Sequence, residues 1–124
     1  MNPPDVRLLQ ITDTHLFASR EGRLRGVPTL ACLQRVLAHA SSRSFEAVLC
    51  TGDLVNDEPE GYAHFRRELG ALGRPVYCLP GNHDPLPQLR EALSSAPFQV
   101  GGHVDLGAWR VILLDSSVDR KSVV

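Results

Sequence analysis

Residues 80–84 read "PGNHD", directly after the apolar run "PVYCL" of residues 75–79. Three polar side chains in a row, Asn82, His83 and Asp84, are costly to order and useless for a core. Asn and Gly suit a tight turn, but a turn has no special use for His. The other reading is a site that needs an amide oxygen and an imidazole side by side. Two more clusters help to decide. "TDTH" (12–15) follows the apolar residues Val6, Leu8, Leu9 and Ile11, and "TGDLVND" (51–57) follows the run "EAVLCT" (46–51). Runs this short, partly β-branched and not strictly alternating, fit buried parallel strands.

Helical patterns separate these runs. Leu30, Leu33, Val36, Leu37 and Ala40 recur at three- and four-residue steps, with Pro28 suited to the first turn. A second helix is predicted to start near Asp57, which reads as its N-cap or as a support to the site, with Glu58 and Glu60 favouring its dipole. Tyr62, Phe65, Leu69 and Leu72 form its apolar face, and Gly73 ends it. A third covers roughly 86–95. The segment "FQVGGHVDLGAWRVILLDSS" reads as two strands around a turn near Asp105–Gly107. The order β-α-β-α-β-α-β-β implies an α/β fold with a mostly parallel sheet flanked by helices.

In open α/β sheets, sites form outside the carboxyl ends of the strands. The three polar clusters each follow a strand, so they are expected to converge. Asp13 and His15 are two residues apart, and in an extended chain both point the same way. An oxygen and a nitrogen ligand can then reach one metal ion. Asp53 could bridge two ions, and Gly52 permits a tight turn there. Asn82 can offer an amide oxygen to the second ion, leaving His83 free for proton transfer. Two ions about 3.5–4 Å apart would clamp a phosphate and activate water near neutral pH.

The stretches "ITDTHL", "CTGDLVND" and "LPGNHD" resemble the Asp-x-His, Gly-Asp and Gly-Asn-His-Asp/Glu motifs of the calcineurin-like metallophosphoesterases. With "LRGVPT" and "VILLDSS", the resemblance is greatest to the bacterial class III 3',5'-cyclic-AMP phosphodiesterases, over about residues 7–118. It implies the N-terminal portion of a sandwich of two sheets flanked by helices. It also implies that Asp13 and His15 bind the first ion, that Asp53 bridges both, that Asn82 binds the second and that Asn82 and His83 meet substrate. The implied cofactors are two ions of iron, manganese or zinc. The implied reaction is phosphodiester hydrolysis, in which a metal-bound hydroxide attacks phosphorus and His83 assists at the leaving oxygen. A cyclic nucleotide is the expected small-molecule substrate, with a phosphomonoester or a nucleotide pyrophosphate as alternatives. A third alternative is a non-catalytic remnant.

The family pattern continues with a His after another strand and then a Gly-His-x-His, whereas after Asp84 this sequence has only His103, with no second His nearby. Residues 1–124 are therefore expected to be one partial domain. "DRKSVV" (119–124) reads as a tail foreign to it, and the isolated chain is expected to have little or no activity.

A formal net charge of −1 gives no sign of a nucleic-acid or membrane partner. No apolar run approaches a membrane span, and a cytoplasmic location is expected. Cys32, Cys50 and Cys78 lie inside apolar patterns and read as buried reduced thiols. His39, His64 and His103 read as surface residues, and Phe98 and Trp109 as packing residues. Asp84 either orients His83 or caps the helix near Pro85. Arg20, Arg23 and Arg25 form either a solvated loop or one facing a phosphate.

Overall fold

Each of the first two apolar runs ends on a strand that hydrogen-bonds to the next run in the same direction. In the computed structural model, which describes residues 4–116, the elements are β1 (Leu8–Ile11), β2 (Arg23–Leu24), β3 (Val27–Pro28), α1 (Thr29–Ala40), β4 (Ala47–Thr51), α2 (Gly61–Gly70), β5 (Val76–Leu79), α3 (Leu86–Ala92), β6 (Phe98–Val100), β7 (Gly102–Leu106) and β8 (Trp109–Leu113). The main sheet has the order β1-β4-β5-β6, and every neighbouring pair is parallel. Parallel pairs need a crossover, and α1, α2 and α3 supply one each. The expected α/β fold with a parallel sheet flanked by helices is the observed one.

The period of two along the strands sorts side chains between two layers. Val48, Cys50, Val76 and Cys78 join Leu30, Leu33, Leu37, Phe65, Leu69 and Leu89 in the larger core beneath the helices. Ala47 and Tyr77 face the other way and pack with Leu113 of β8. Because β4 and β5 are covered on both faces, they read as continuous apolar runs. The free Cys50 and Cys78 are fully buried opposite each other in the β4–β5 register, and Cys32 is half-buried. The neighbouring Cys78 and burial together push the Cys50 thiol well above its usual range.

Several expectations need correction. The segment after α3 holds three strands, not two. Gly101 and Gly102, at φ +70° and +78°, break the chain, so that β6 completes the parallel sheet while β7 and β8 form a separate antiparallel hairpin. The hairpin turns at Gly107–Ala108 between the paired Leu106 and Trp109. Trp109 lies on it 67% exposed, not packed. Val36 is half exposed. Pro28 precedes α1 as its cap and closes the short β2–β3 hairpin, which the sequence reading took as loop. Helix α2 starts at Gly61, four residues after Asp57, which at φ +68° caps nothing. Glu58 lies outside the helix and accepts a hydrogen bond from the Ala18 N–H. Residues 119–124 lie outside the described residues.

One buried carboxylate ties the loops after β4 and β5 together. Asp84 Oδ2 accepts from the backbone N–H of Leu54 at 3.2 Å and of Gly81 at 2.8 Å. Its Oδ1 accepts from the N–H of Val55 at 3.1 Å and from the Tyr62 hydroxyl at 2.8 Å. Asp84 thus neither orients the His83 ring nor caps α3. Burial and the adjacent Asp84 push the Tyr62 hydroxyl far above its usual range, which keeps it a donor.

Replacing Asp84 by Ala removes the partner of three backbone donors at once, and Asp84→Asn turns an amide N–H toward two of those donors. Either change is expected to lower stability by about 3 kcal/mol or more. Tyr62→Phe removes one donor only and is expected to cost about 1 kcal/mol. Urea unfolding of the three variants checks the ranking. A smaller loss for Asp84→Ala than for Tyr62→Phe would contradict the bracing role.

Candidate metal centre

The loops that leave the carboxyl ends of β1 and β4 stay hydrogen-bonded beyond the sheet. Asp13 N–H donates to the Gly52 carbonyl at 3.0 Å, His15 N–H to Asp53 at 2.9 Å and Leu16 N–H to Leu54 at 3.0 Å. Leu16 then bridges Val55 in parallel. The loop after β5 joins them where Asp57 N–H donates to the His83 carbonyl at 3.0 Å. The expected convergence of the three clusters is therefore present.

The local backbone differs from the expectation. Asp13 and His15 are not on an extended chain. They lie at φ +58° and +44°, in the left-handed region, with the buried Thr14 between them. The Thr14 hydroxyl donates to the Leu54 carbonyl at 2.8 Å and holds that kink. Asp53 is also left-handed, at φ +50°, after Gly52 at +109°. Asp and His tolerate this region better than most residues. Two consecutive kinks, not strand alternation, bring the Asp13 and His15 side chains together.

His15 Nε2 lies 3.3 Å from Asp13 Oδ1 and 3.8 Å from Asp53 Oδ2. One ligand atom from each of the three residues lies within 4.8 Å of the others. Asp13 is the open wall, with its side chain 56% exposed, against 14% for both His15 and Asp53. The Thr12 hydroxyl donates to Asp13 Oδ2 at 2.6 Å and is the main reason that this carboxyl titrates below its usual range, with His15 adding to the effect. Asp13 is therefore anionic at neutral pH.

The donor set suits a cation. His15 Nδ1 faces Asn56 Oδ1 at 3.1 Å, and an amide oxygen only accepts. With the ring proton on Nδ1, donating to Asn56, the Nε2 lone pair faces two carboxylates. Such electron-rich atoms repel one another unless a positive charge lies among them. Two carboxylate oxygens and one imidazole nitrogen are the ligand types that Zn²⁺ and Mn²⁺ accept.

Asp53 is fixed from both sides. Its Oδ1 accepts the His83 N–H at 2.9 Å, so that Oδ2 is left toward His15. This needs a close approach by Gly81, where a Cβ would collide with the Asp53 carboxylate and backbone nitrogen. His83 is half-buried on the same turn. Its Nδ1 lies 3.1 Å from Asp57 Oδ1, and its ring meets that of His15 edge-on, with centroids 5.5 Å apart. Nδ1–H donates to Asp57, and among the described residues Nε2 makes no hydrogen bond. Asn82 is exposed at the tip of this turn, and among the described residues its amide makes no hydrogen bond.

Sequence reasoning missed Asn56, Gly81 and Thr12, and of the two roles open for Asp57 it favoured the helix cap over the support to His83 that the contact shows. The polar tail of "TGDLVND", past the end of a strand, was the available signal for Asn56 and Asp57. The other histidines lie elsewhere. His39 and His103 are exposed on α1 and β7, while His64 donates from Nε2 to the Ala18 carbonyl and accepts at Nδ1 from Arg67. Arg20, Arg23 and Arg25 are exposed and form no ion pair among the described residues.

The chain is similar in sequence to several curated proteins. A protein of Haemophilus influenzae named 3',5'-cyclic adenosine monophosphate phosphodiesterase CpdA is 41% identical over 119 residues, which cover 93% of this chain and 43% of the relative. Proteins of the same name from Escherichia coli K12 and Pseudomonas aeruginosa are 40% and 35% identical, each over 91% of this chain and 42% of the relative. The chain spans less than half the length of these curated relatives. The family described as calcineurin-like phosphoesterase matches residues 6–117, nearly the whole of the described structure, and the chain belongs to it.

Proposed function

We propose that this chain supplies the N-terminal part of a metal-dependent phosphodiester hydrolase whose substrate is 3',5'-cyclic AMP. The observation that carries the reading is the convergence of Asp13, His15 and Asp53 on one point, with the Nε2 of His83 on the adjoining turn. Family membership and the names of the relatives supply the substrate class. In this reading Asp13, His15 and Asp53 hold one ion, and Asp53 with Asn82 contributes to a second. Iron, manganese and zinc are the candidates. When bound, such ions neutralise phosphoryl charge and activate water at neutral pH.

The chain's own groups do the rest. Asp57 fixes the His83 ring through Nδ1, and His83 Nε2, once it has taken up a proton from solvent, passes that proton to the leaving ester oxygen. Asn82 places its amide beside the same phosphoryl group. The reading includes a cytoplasmic location and a small-molecule partner. Among the described residues no helix is long and apolar enough to cross a membrane.

The test is hydrolysis by the purified protein that carries this chain, first stripped with a chelator and then given Mn²⁺. Activity should vanish on stripping, return with Mn²⁺ and favour 3',5'-cyclic AMP over an aryl phosphate monoester. A preference for the monoester would overturn the substrate assignment. His83→Ala is expected to lower kcat by about 10²–10⁴-fold with the metal content unchanged. Asp57→Asn keeps the shape and weakens the hold on the ring, so a fall of about tenfold in kcat is expected, smaller than that of His83→Ala. Asp53→Asn, by contrast, should reduce metal content measured by mass spectrometry. An unchanged metal content in that variant would argue against the assigned ligands.

A further inference from the structure

A neutral imidazole offers one lone pair, and the partner of the other nitrogen decides where it points. Around His15 the two choices are not equally favoured. With its proton on Nε2, the ring would donate to Asp13 Oδ1 at 3.3 Å, with Asp53 Oδ2 behind it at 3.8 Å. Two carboxylates pull the proton to that side, and a ring in that state cannot bind a cation there. On the other side, among the described residues, the partner is Asn56 Oδ1, 3.1 Å from Nδ1. Asn56 is well placed to hold this contact. Its backbone N–H donates to the Leu16 carbonyl at 2.9 Å, and Val55 bridges Leu16, so Asn56 is tied to the strand extension that carries His15. Being uncharged, it leaves the centre with the two negative charges of Asp13 and Asp53, which balance one divalent ion.

We propose that Asn56 is a positioning residue that acts through His15. It holds the proton on Nδ1 and so keeps the Nε2 lone pair directed at the point where Asp13 and Asp53 converge, which sets the affinity of the centre for a divalent cation. The inference rests on the metal-site reading above and deepens it.

The test uses the metal-free purified protein and Zn²⁺ as the probe, titrated by calorimetry. Asn56→Ala should weaken Zn²⁺ binding by about 10–100-fold, as loss of an outer hydrogen bond to a ligating His does. Asn56→Asp retains an acceptor oxygen and should bind Zn²⁺ at least as tightly as the unchanged protein. A merely structural role for Asn56 would not give this rescue. Nitrogen-15 NMR of the His15 ring gives a second readout without mutation. The metal-free unchanged protein should carry the proton on Nδ1, and Asn56→Ala should move it to Nε2. Asp13→Asn is the control for the site itself. Undiminished Zn²⁺ affinity in Asn56→Ala, with affinity lost in Asp13→Asn, would overturn the role of Asn56 alone. Undiminished affinity in both would overturn the metal-site reading and this inference with it. A proton on Nε2 in the unchanged protein would also overturn the inference.

Discussion

The buried carboxylate of Asp84 is the constraint on which the rest of the centre depends. It accepts two hydrogen bonds on each oxygen, from Leu54 and Gly81 on one and from Val55 and Tyr62 on the other. Those donors belong to the loop after β4, the turn after β5 and the helix α2. A carboxylate is suited to this place because it has only acceptor sites, about four of them. An amide would bring donors of its own, and a hydroxyl could not reach all the partners. With the β4 loop and the β5 turn locked, Gly81 can press against Asp53, and the His83 N–H can hold one Asp53 oxygen. The β1 loop is then added by the Leu16–Val55 bridge. Asp84 has no role in the chemistry proposed, yet every group that does is placed with respect to it.

Much of this was legible in the residues. Short apolar runs that end in polar clusters marked β1, β4 and β5, because strands covered on both faces leave an unbroken hydrophobic signature. The spacing of Leu30, Leu33, Leu37 and Ala40 gave α1 for an equally simple reason, since all four are buried. That the loops carrying Asp13, His15 and Asp53 meet followed from topology, while the kinks that join the Asp13 and His15 side chains did not. What the sequence hid was of two kinds. Tertiary contacts gave several polar residues roles that no local pattern encodes. Asp57 looks like a helix cap, but it turns left-handed and faces His83 across 26 positions of chain. Asp84 looks like a neighbour for His83, but its carboxylate points into the protein. The other kind was short-range punctuation. Strands of two residues, β2 and β3, carry no periodicity, and the Gly101–Gly102 break fell inside a stretch that reads as one strand. Trp109 departs from the general preference of large aromatics for burial, because a two-stranded hairpin cannot bury both of its faces.

The kinks at Asp13, His15 and Asp53 bear on how this centre can be dissected. A non-glycine residue at positive φ costs on the order of 1–2 kcal/mol, and the hydrogen bonds between the β1 and β4 loops offset that cost. Alanine at any of these positions would remove a side chain and also raise the backbone penalty, so the two effects would arrive as one number. Asparagine keeps the backbone preference and glycine relieves it, so the pair brackets the separate contributions. The same geometry couples stability to purpose. Glycine at Asp13 or His15 would relax the loop and could leave the fold sturdier, while deleting a group on which the centre is built. This segment therefore sits above its own conformational minimum, and its shape is kept by its neighbours rather than by its own preferences.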